Sequence, residues 1–185
     1  MDALKIKVEE LTDEKIRTLK AGDLLLLSGE IYTARDAAHE RMVCESKEGK
    51  PFPFDIVGKA VYYAGPCPAK PGEVIGSCGP TTAGRMDAYT PYLLDRGLKV
   101  MVGKGERSQE VIDAIRRNTC IYLGAIGGAG ALISECIKSA EVIAYDDLGT
   151  EAIRKLYVED FPVTVLVDAS GNDIYKIGRE KYREI

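Results

Sequence analysis

Residues 98–139 read LKVMVGKGERSQEVIDAIRRNTCIYLGAIGGAGALISECIKS, and their rhythm decides the fold class. A short apolar run, Leu98 to Val102, has the length and β-branched content of a buried strand. After Gly103-Lys104-Gly105, Ser108 stands where a helix N-cap belongs, and the helix runs through Arg117. A second apolar run, Cys120 to Leu123, leads into a glycine-rich turn at 124–130, and a second helix is expected over Ala131 to Ser139. Strand, helix, strand, helix is the alternation of an α/β layered fold.

Working outward toward the C-terminus, the pattern predicts a short strand over Val142 to Tyr145 and a helix over Thr150 to Tyr157. A strand follows over Val163 to Val167, with Asp168 to Asn172 as a hairpin-like turn into Ile174-Tyr175. Toward the N-terminus, Leu4, Ile6 and Val8 alternate with polar residues as in a strand, and Thr12-Asp13 caps a short helix ending near Leu19. Asp23 to Tyr32 is a strand, whole or broken at Ser28-Gly29. Residues 34–47 form a helix with Ala37, Ala38, Met42 and Val43 toward the core, and Pro51 and Pro53 prevent its continuation. Val61 to Ala64 and Glu73 to Ser77 read as strands around the proline-rich loop GPCPAKPG, and Tyr32 reads as core. The β-rich first third predicts a sheet that is not purely parallel.

The 185 residues suit one domain or a fused pair of small lobes, and 45% hydrophobic with 29% charged residues is an ordinary globular balance. A net charge of −4 without a Lys/Arg run argues against a nucleic-acid surface, so an acidic ligand would need basic residues placed locally. The first ten residues are charged and alternating, unlike a signal core, and no apolar run has membrane-spanning length. Cysteines at 44, 67, 78, 120 and 136 contain no C-x-x-C and match no zinc spacing, and there is one histidine, His39. They are expected to be mostly buried small hydrophobes in a reducing cytoplasm.

CGPTTAGRMDAYTPYLLDRG, residues 78–97, places chemistry in a loop. Thr90-Pro91 looks like a helix start and Gly97 like its stop, so residues 79–85 lie between a strand-like run and a helix. Thr81, Thr82, free backbone N–H groups and Arg85 then gather in one turn, a set suited to a carboxylate or phosphate. The same residues also fit an ordinary capped turn with a surface arginine. The glycine-rich GAIGGAG, 124–130, has neither dinucleotide-turn nor P-loop spacing, although Asp146 and Asp147 lie roughly twenty residues on. It reads as close packing of a strand-to-helix turn. Lys104 between two glycines is either loop filler or a charge at the carboxyl end of a strand, where α/β folds bind ligands.

Three segments combine into a resemblance: LSGEIYTARDAAHERM (27–42), GPTTAGRMD (79–87) with VMVGKG (100–105), and DFPVTVLVDASGNDIY (160–175). Together they resemble the beta subunit of class I, iron–sulfur-dependent fumarate hydratase and of L(+)-tartrate dehydratase, the C-terminal domain of single-chain members. The resemblance implies a swivelling β/β/α three-layer α/β domain with a mixed sheet, spanning residues 1–185 as a single domain. It implies a hydro-lyase of the tricarboxylic acid cycle type, reversibly hydrating fumarate to L-malate, or one acting on L(+)-tartrate or another 2-hydroxy diacid. The [4Fe–4S] cluster would be held by three cysteines of a partner alpha subunit, with no metal ligand in this chain. A cytoplasmic hetero-oligomer binding a dicarboxylate, with neither nucleic acid nor membrane as partner, is the expected setting. A non-catalytic anion- or nucleotide-binding module, built on the glycine-rich turn, is the alternative from another class.

By the same resemblance Arg35, Thr81, Thr82, Arg85 and Lys104 face the shared site. Arg35 and Arg85 would clamp carboxylates, Lys104 would add a point charge, and Thr82 would bind carboxylate oxygens. Thr81 is the expected catalytic, proton-transferring residue. Its hydroxyl is a weak base unless Arg85 and Lys104 depress its pKa, and a partner-subunit residue is the alternative. Behind these, Asp36 would orient Arg35 or, in preference, cap the helix. His39 shares a helical face with Arg35, in a supporting or purely structural role. Asp87 would orient Arg85 or cap the following helix.

Overall fold

The computed structural model describes residues 3–183, so the ends of the expected 1–185 domain lie outside it. The apolar runs that open the sequence argument are adjacent parallel strands, β4 (Val100–Gly103) and β5 (Ile121–Gly124). The helix between them, α4 (Gln109–Asn118), starts at Ser108, whose hydroxyl accepts from Val111 N at 3.4 Å. It ends at Thr119 in the left-handed region, φ 51°. Upstream, β1 (Leu4–Lys7), β2 (Leu24–Thr33) and β3 (Ala60–Tyr62) extend the same parallel series, β1-β2-β3-β4-β5. Thr12 caps the short α1 (Asp13–Thr18), as expected.

The fifteen-residue β7 (Ile153–Val167) turns this series into a closed structure. It runs antiparallel to β2 over Arg154–Thr164 and antiparallel to β5 over Thr164–Val167. Because one strand pairs with both, β2, β3, β4, β5 and β7 form a ring, and β6 (Ile137–Ala144) adds antiparallel to β7 outside it. A ring leaves few unpaired strand edges. Alternation along the strands sends Leu25, Leu27, Ile31, Phe161, Val163 and Val165 into one buried cluster between the two curved halves of the sheet. The opposite faces of β3, β4 and β5 send Val61, Met101 and Tyr122 into a second cluster, covered by α2 (Asp36–Lys47), α3 (Thr90–Leu94) and α4. Two β layers and a helical layer make the β/β/α arrangement that the resemblance implied. The short α5 (Gly130–Glu135) precedes β6, and α6 (Ile174–Tyr182) closes the described chain.

Several elements differ from the sequence expectation. Thr150 to Tyr157 is not a helix: a 3-10 segment, Asp146–Glu151, gives way to β7. The three-residue spacing of Ile153 and Leu156 suits a helix, but pairing with β2 and β6 makes a strand that sends them into opposite clusters. Glu73 to Ser77 forms no strand, because the loop folds back on itself through Cys67 N to Ser77 O (3.0 Å) and Gly76 N to Cys67 O (3.2 Å). The second glycine-turn helix stops at Glu135, and Ile137 already belongs to β6. Ile174-Tyr175 opens a helix rather than a hairpin strand, since Asp173 caps it by accepting from Tyr175 N at 2.9 Å. Thr90 does not cap α3; its hydroxyl donates to Met86 O at 2.9 Å from within the first turn. Ala38, Met42 and Val43 are buried as expected while Ala37 is only partly so, and Tyr32 stacks on Phe54 at 4.0 Å. The antiparallel character of the sheet comes from β6 and β7, not from the first third, whose strands are mutually parallel.

Candidate functional site

The candidate residues gather at the carboxyl ends of the parallel strands, where α/β sheets place ligands. Arg35 lies two residues after β2, the GPTT loop lies between β3 and β4, and Lys104 is the residue after β4. The loop is built onto the sheet by its backbone. Thr81 N donates to Tyr63 O at 2.7 Å, Lys104 N to Thr81 O at 3.3 Å, and Ala83 N to Lys104 O at 2.8 Å, so Thr82 and Lys104 lie side by side as a parallel bridge. One turn of 3-10 helix, Ala83–Met86, then carries Arg85. The glycine-rich turn packs underneath. A Cβ on Gly130 would fall 2.5 Å from Ser77 Oγ and 2.9 Å from Gly79 N, one on Gly124 would fall 2.5 Å from Leu166, and Cys78 N donates to Gly130 O at 3.0 Å. These glycines permit close backbone approach, which supports the packing reading of GAIGGAG.

Carboxylates link the cations. Asp36 Oδ1 lies 2.8 Å from Arg85 Nε and its Oδ2 lies 3.2 Å from Arg35 Nε, so one carboxylate ties both arginines together. Glu151 Oε1 lies 3.3 Å from the same Arg35 Nε. All these pairs engage Nε, so the terminal Nη groups that form a bidentate fork are left for a ligand. Among the described residues neither the Lys104 ammonium nor the Thr81 and Thr82 hydroxyls have a hydrogen-bond or ion-pair partner. The Arg35 side chain is 23% exposed and that of Arg85 is 53% exposed. The cluster therefore lies on an open face. Two cavities, of about 610 and 690 Å³, lie elsewhere, one beside β2 and β7 and the other under the 67–77 loop.

The supporting residues divide differently from expectation. Asp36 does not cap α2, which has no side-chain cap from its own N-cap residue. It orients the arginines, while Glu151 Oε2 takes the Ala37 N–H at 2.8 Å. Asp87 neither orients Arg85 nor caps α3. It accepts from Arg107 Nε at 2.7 Å and Ser108 N at 2.6 Å. His39 is fully buried, and its Nδ1–H donates to Arg35 O at 3.1 Å. Burial, aided by the charge of Arg107, pushes its pKa down to about 4, so the ring is neutral. Its role is to support the turn that carries Arg35.

Sequence reasoning passed over two residues. Arg107, whose side chain is 0% exposed, fills the space between the rings of Tyr63 and Tyr122 and donates to Thr90 Oγ1 at 2.8 Å. Glu151 reaches Arg35 from over a hundred residues away, and no local pattern announces such a contact. The cysteines also depart from expectation: Cys78 and Cys120 are buried, but Cys44 and Cys67 are exposed and Cys136 is partly so. Burial pushes the thiols of Cys78 and Cys120 up to about 12, which opposes the thiolate that a metal requires. Among the described residues no three His, Cys, Asp or Glu side chains converge as a ligand set, so these residues do not fit an iron–sulfur cluster.

Comparison with known proteins places the chain in a family. The family profile described as Fumarase C-terminus matches residues 1–178. The "Fumarate hydratase class I, aerobic" of Escherichia coli (strain K12) is 45% identical over 154 residues, covering 82% of this chain and 28% of that protein. The "Fumarate hydratase 1, mitochondrial" of Leishmania major is 41% identical over 171 residues, covering 91% of this chain and 30% of that one. The chain thus spans less than a third of the length of these fumarate hydratases. The "Putative L(+)-tartrate dehydratase subunit beta" of Methanocaldococcus jannaschii is 35% identical over 181 residues, covering 95% of this chain and 93% of that protein. With residues 1–178 matched by its profile, this chain belongs to the fumarase C-terminus family.

Proposed function

We propose that this chain is the beta-type part of a two-part hydro-lyase that reversibly hydrates fumarate to L-malate. The observation that carries this is the convergence of Arg35, Arg85 and Lys104 with two unpartnered threonine hydroxyls on an open face at the strand ends. Three cations stand there against the two carboxylates of Asp36 and Glu151, a net positive charge that attracts an anion. The Nη forks of Arg35 and Arg85 bind its carboxylates, Lys104 adds a point charge, and Thr82 with the loop N–H groups holds carboxylate oxygens. In dehydration the Thr81 hydroxyl, its own proton first lost to solvent, takes the carbon-bound proton, and the electron pair moves onto the adjacent carboxylate. Arg85 and Lys104 stabilise that charge and lower the cost of deprotonating the Thr81 hydroxyl. The electron pair then returns to form the C=C bond as the C–O bond breaks, and the departing hydroxide would be received by a Lewis acid supplied by the second chain. The open face requires a second, alpha-type chain to exclude water. The [4Fe–4S] cluster implied by the resemblance belongs in this proposal to that second chain.

L(+)-tartrate is the second reading, favoured by the end-to-end match with the Methanocaldococcus jannaschii relative. A stand-alone nucleotide-binding role lacks such support, since Gly124 and Gly130 are consumed by packing. The test is to purify this chain alone and paired with an alpha-type chain, and to measure initial rates with fumarate, L-malate and L-tartrate. Turnover of fumarate by the pair alone is expected. Arg85→Lys keeps the charge and loses the fork, and should lower kcat/KM by at least about tenfold. Turnover by this chain alone, or an unimpaired Arg85→Lys pair, would overturn the reading.

A further inference from the structure

The segment 145–152 is held along α2, from Glu45 near its end to Ala37 at its start, by contacts unrelated to any ligand. Arg41 binds both oxygens of Asp147, each at 2.7 Å, and Tyr145 OH donates to Glu45 Oε2 at 2.6 Å. Arg154 donates to the carbonyls of Gly149, Thr150 and Ala152 at 2.9, 3.2 and 3.2 Å. The backbone bends sharply at Gly149, with φ 59° and ψ −111°. The result of these ties is the placement of one carboxylate, Glu151. One of its oxygens lies 3.3 Å from Arg35 Nε, and the other accepts the Ala37 N–H at 2.8 Å. Its side chain is 22% exposed.

We propose that Glu151 is a positioning residue of the dicarboxylate site, delivered by the 145–152 segment to hold Arg35 by its Nε while also capping α2. The inference rests on the hydro-lyase reading and deepens it. Arg35 Nε–H donates to Asp36 Oδ2 at 3.2 Å, Glu151 Oε1 adds an ion-pair contact at 3.3 Å, and Asp36 is also engaged by Arg85. Without Glu151, both arginines depend on one carboxylate, and Arg35 is free to follow Asp36 toward Arg85. A guanidinium presents its terminal fork in one plane, so fixing Nε fixes the direction in which the Nη groups meet a carboxylate. A second anion beside the site also weakens ground-state attraction for a dianion. Glu151 therefore trades affinity for orientation.

Glu151→Gln separates this role from a structural one, because its amide oxygen can still accept the Ala37 N–H while the negative charge facing Arg35 is lost. In the full chain labelled with nitrogen-15, the Arg35 Nε–H should exchange with solvent at least about tenfold faster in Glu151→Gln, with the backbone amide spectrum otherwise retained. In the active pair, kcat should fall by at least about tenfold with no rise in KM for the dianion, and Glu151→Asp should recover part of kcat. Unchanged exchange at Arg35, an unchanged kcat, or a rise in KM alone would overturn the proposal. A wild-type pair inactive on fumarate and L-tartrate would instead sink the hydro-lyase reading, and the Arg35 signal would still decide whether Glu151 holds that side chain.

Discussion

At the residue scale, His39 shows how a side chain that supports the site couples it to pH. Its ring packs edge-on against Tyr63 at 5.2 Å, Arg107 acts on it as a like charge opposing protonation, and Asp36 acts in the favourable direction. Burial is the largest effect and holds the pKa at about 4 against an ordinary 6.5. Between those values the unfolded chain binds a proton that the folded chain refuses. Stability from this source is therefore complete above about pH 6.5 and falls as pH drops toward 4. By about pH 5 the loss should reach about 2 kcal/mol. His39→Gln removes the titrating ring, so denaturant unfolding from neutral pH to about pH 5 should show the wild type losing about that much more than the variant. Parallel losses in the two proteins would show that His39 is not the titrating group. Lys104 and the two threonines were visible in sequence because local motifs carry them, whereas the burial and neutral state of His39 depend on β3 and the Arg107 side chain packed against its helix.

At the scale of elements, the glycine-rich turn and the GPTT loop act as one unit. The turn before α5 seats Ser77 and Gly79 through Gly130, and the loop is then tied to β3 and β4 by Thr81 N and Ala83 N. Gly130→Ala would force backbone apart at 2.9 Å and should destabilise the chain by about 1–3 kcal/mol. It should also raise the dicarboxylate KM of the pair, because displacement at Gly79 reaches Thr81 within two residues. Gly128→Ala is the control. Nothing lies within 4 Å of its added methyl, and its φ of 81° costs only backbone strain, about 1–2 kcal/mol. Thermal melts and KM values for both variants check this, and equal KM for the two would refute the coupling of turn to loop.

At the scale of the whole molecule, Arg107 joins parts that the chain reaches separately. Its guanidinium meets Asp87 after the GPTT loop, Thr90 of α3, Tyr63 after β3 and the Tyr122 ring of β5. The pair with Asp87 is internal, so Asp87→Asn leaves a buried cation without its counter-charge and should cost about 3–5 kcal/mol. The Arg117–Asp95 pair has both side chains over 40% exposed, and Asp95→Asn should cost no more than about 1 kcal/mol. Urea unfolding of the two variants tests the contrast. A small effect for Asp87→Asn would mean that Arg107 finds other partners and that the network does not hold these elements together.

The sequence by itself determined the α/β alternation and the capped helices at Thr12 and Ser108, and its motif strings singled out Arg35, Thr81, Thr82, Arg85 and Lys104 as candidates. Each of these is a local property: a run of apolar residues, a hydroxyl before a helix, or a string of neighbouring polar groups. Only the tertiary structure decided that residues 153–157 belong to a strand rather than a helix, since the spacing of Ile153 and Leu156 suits a helix until β2 and β6 offer hydrogen bonds on either side. It alone decided that Asp36 bridges two arginines, that Glu151 caps α2, and that Asp87 turns to Arg107. A carboxylate takes whichever donors the fold brings within about 3 Å, and those donors come from residues far apart in the chain.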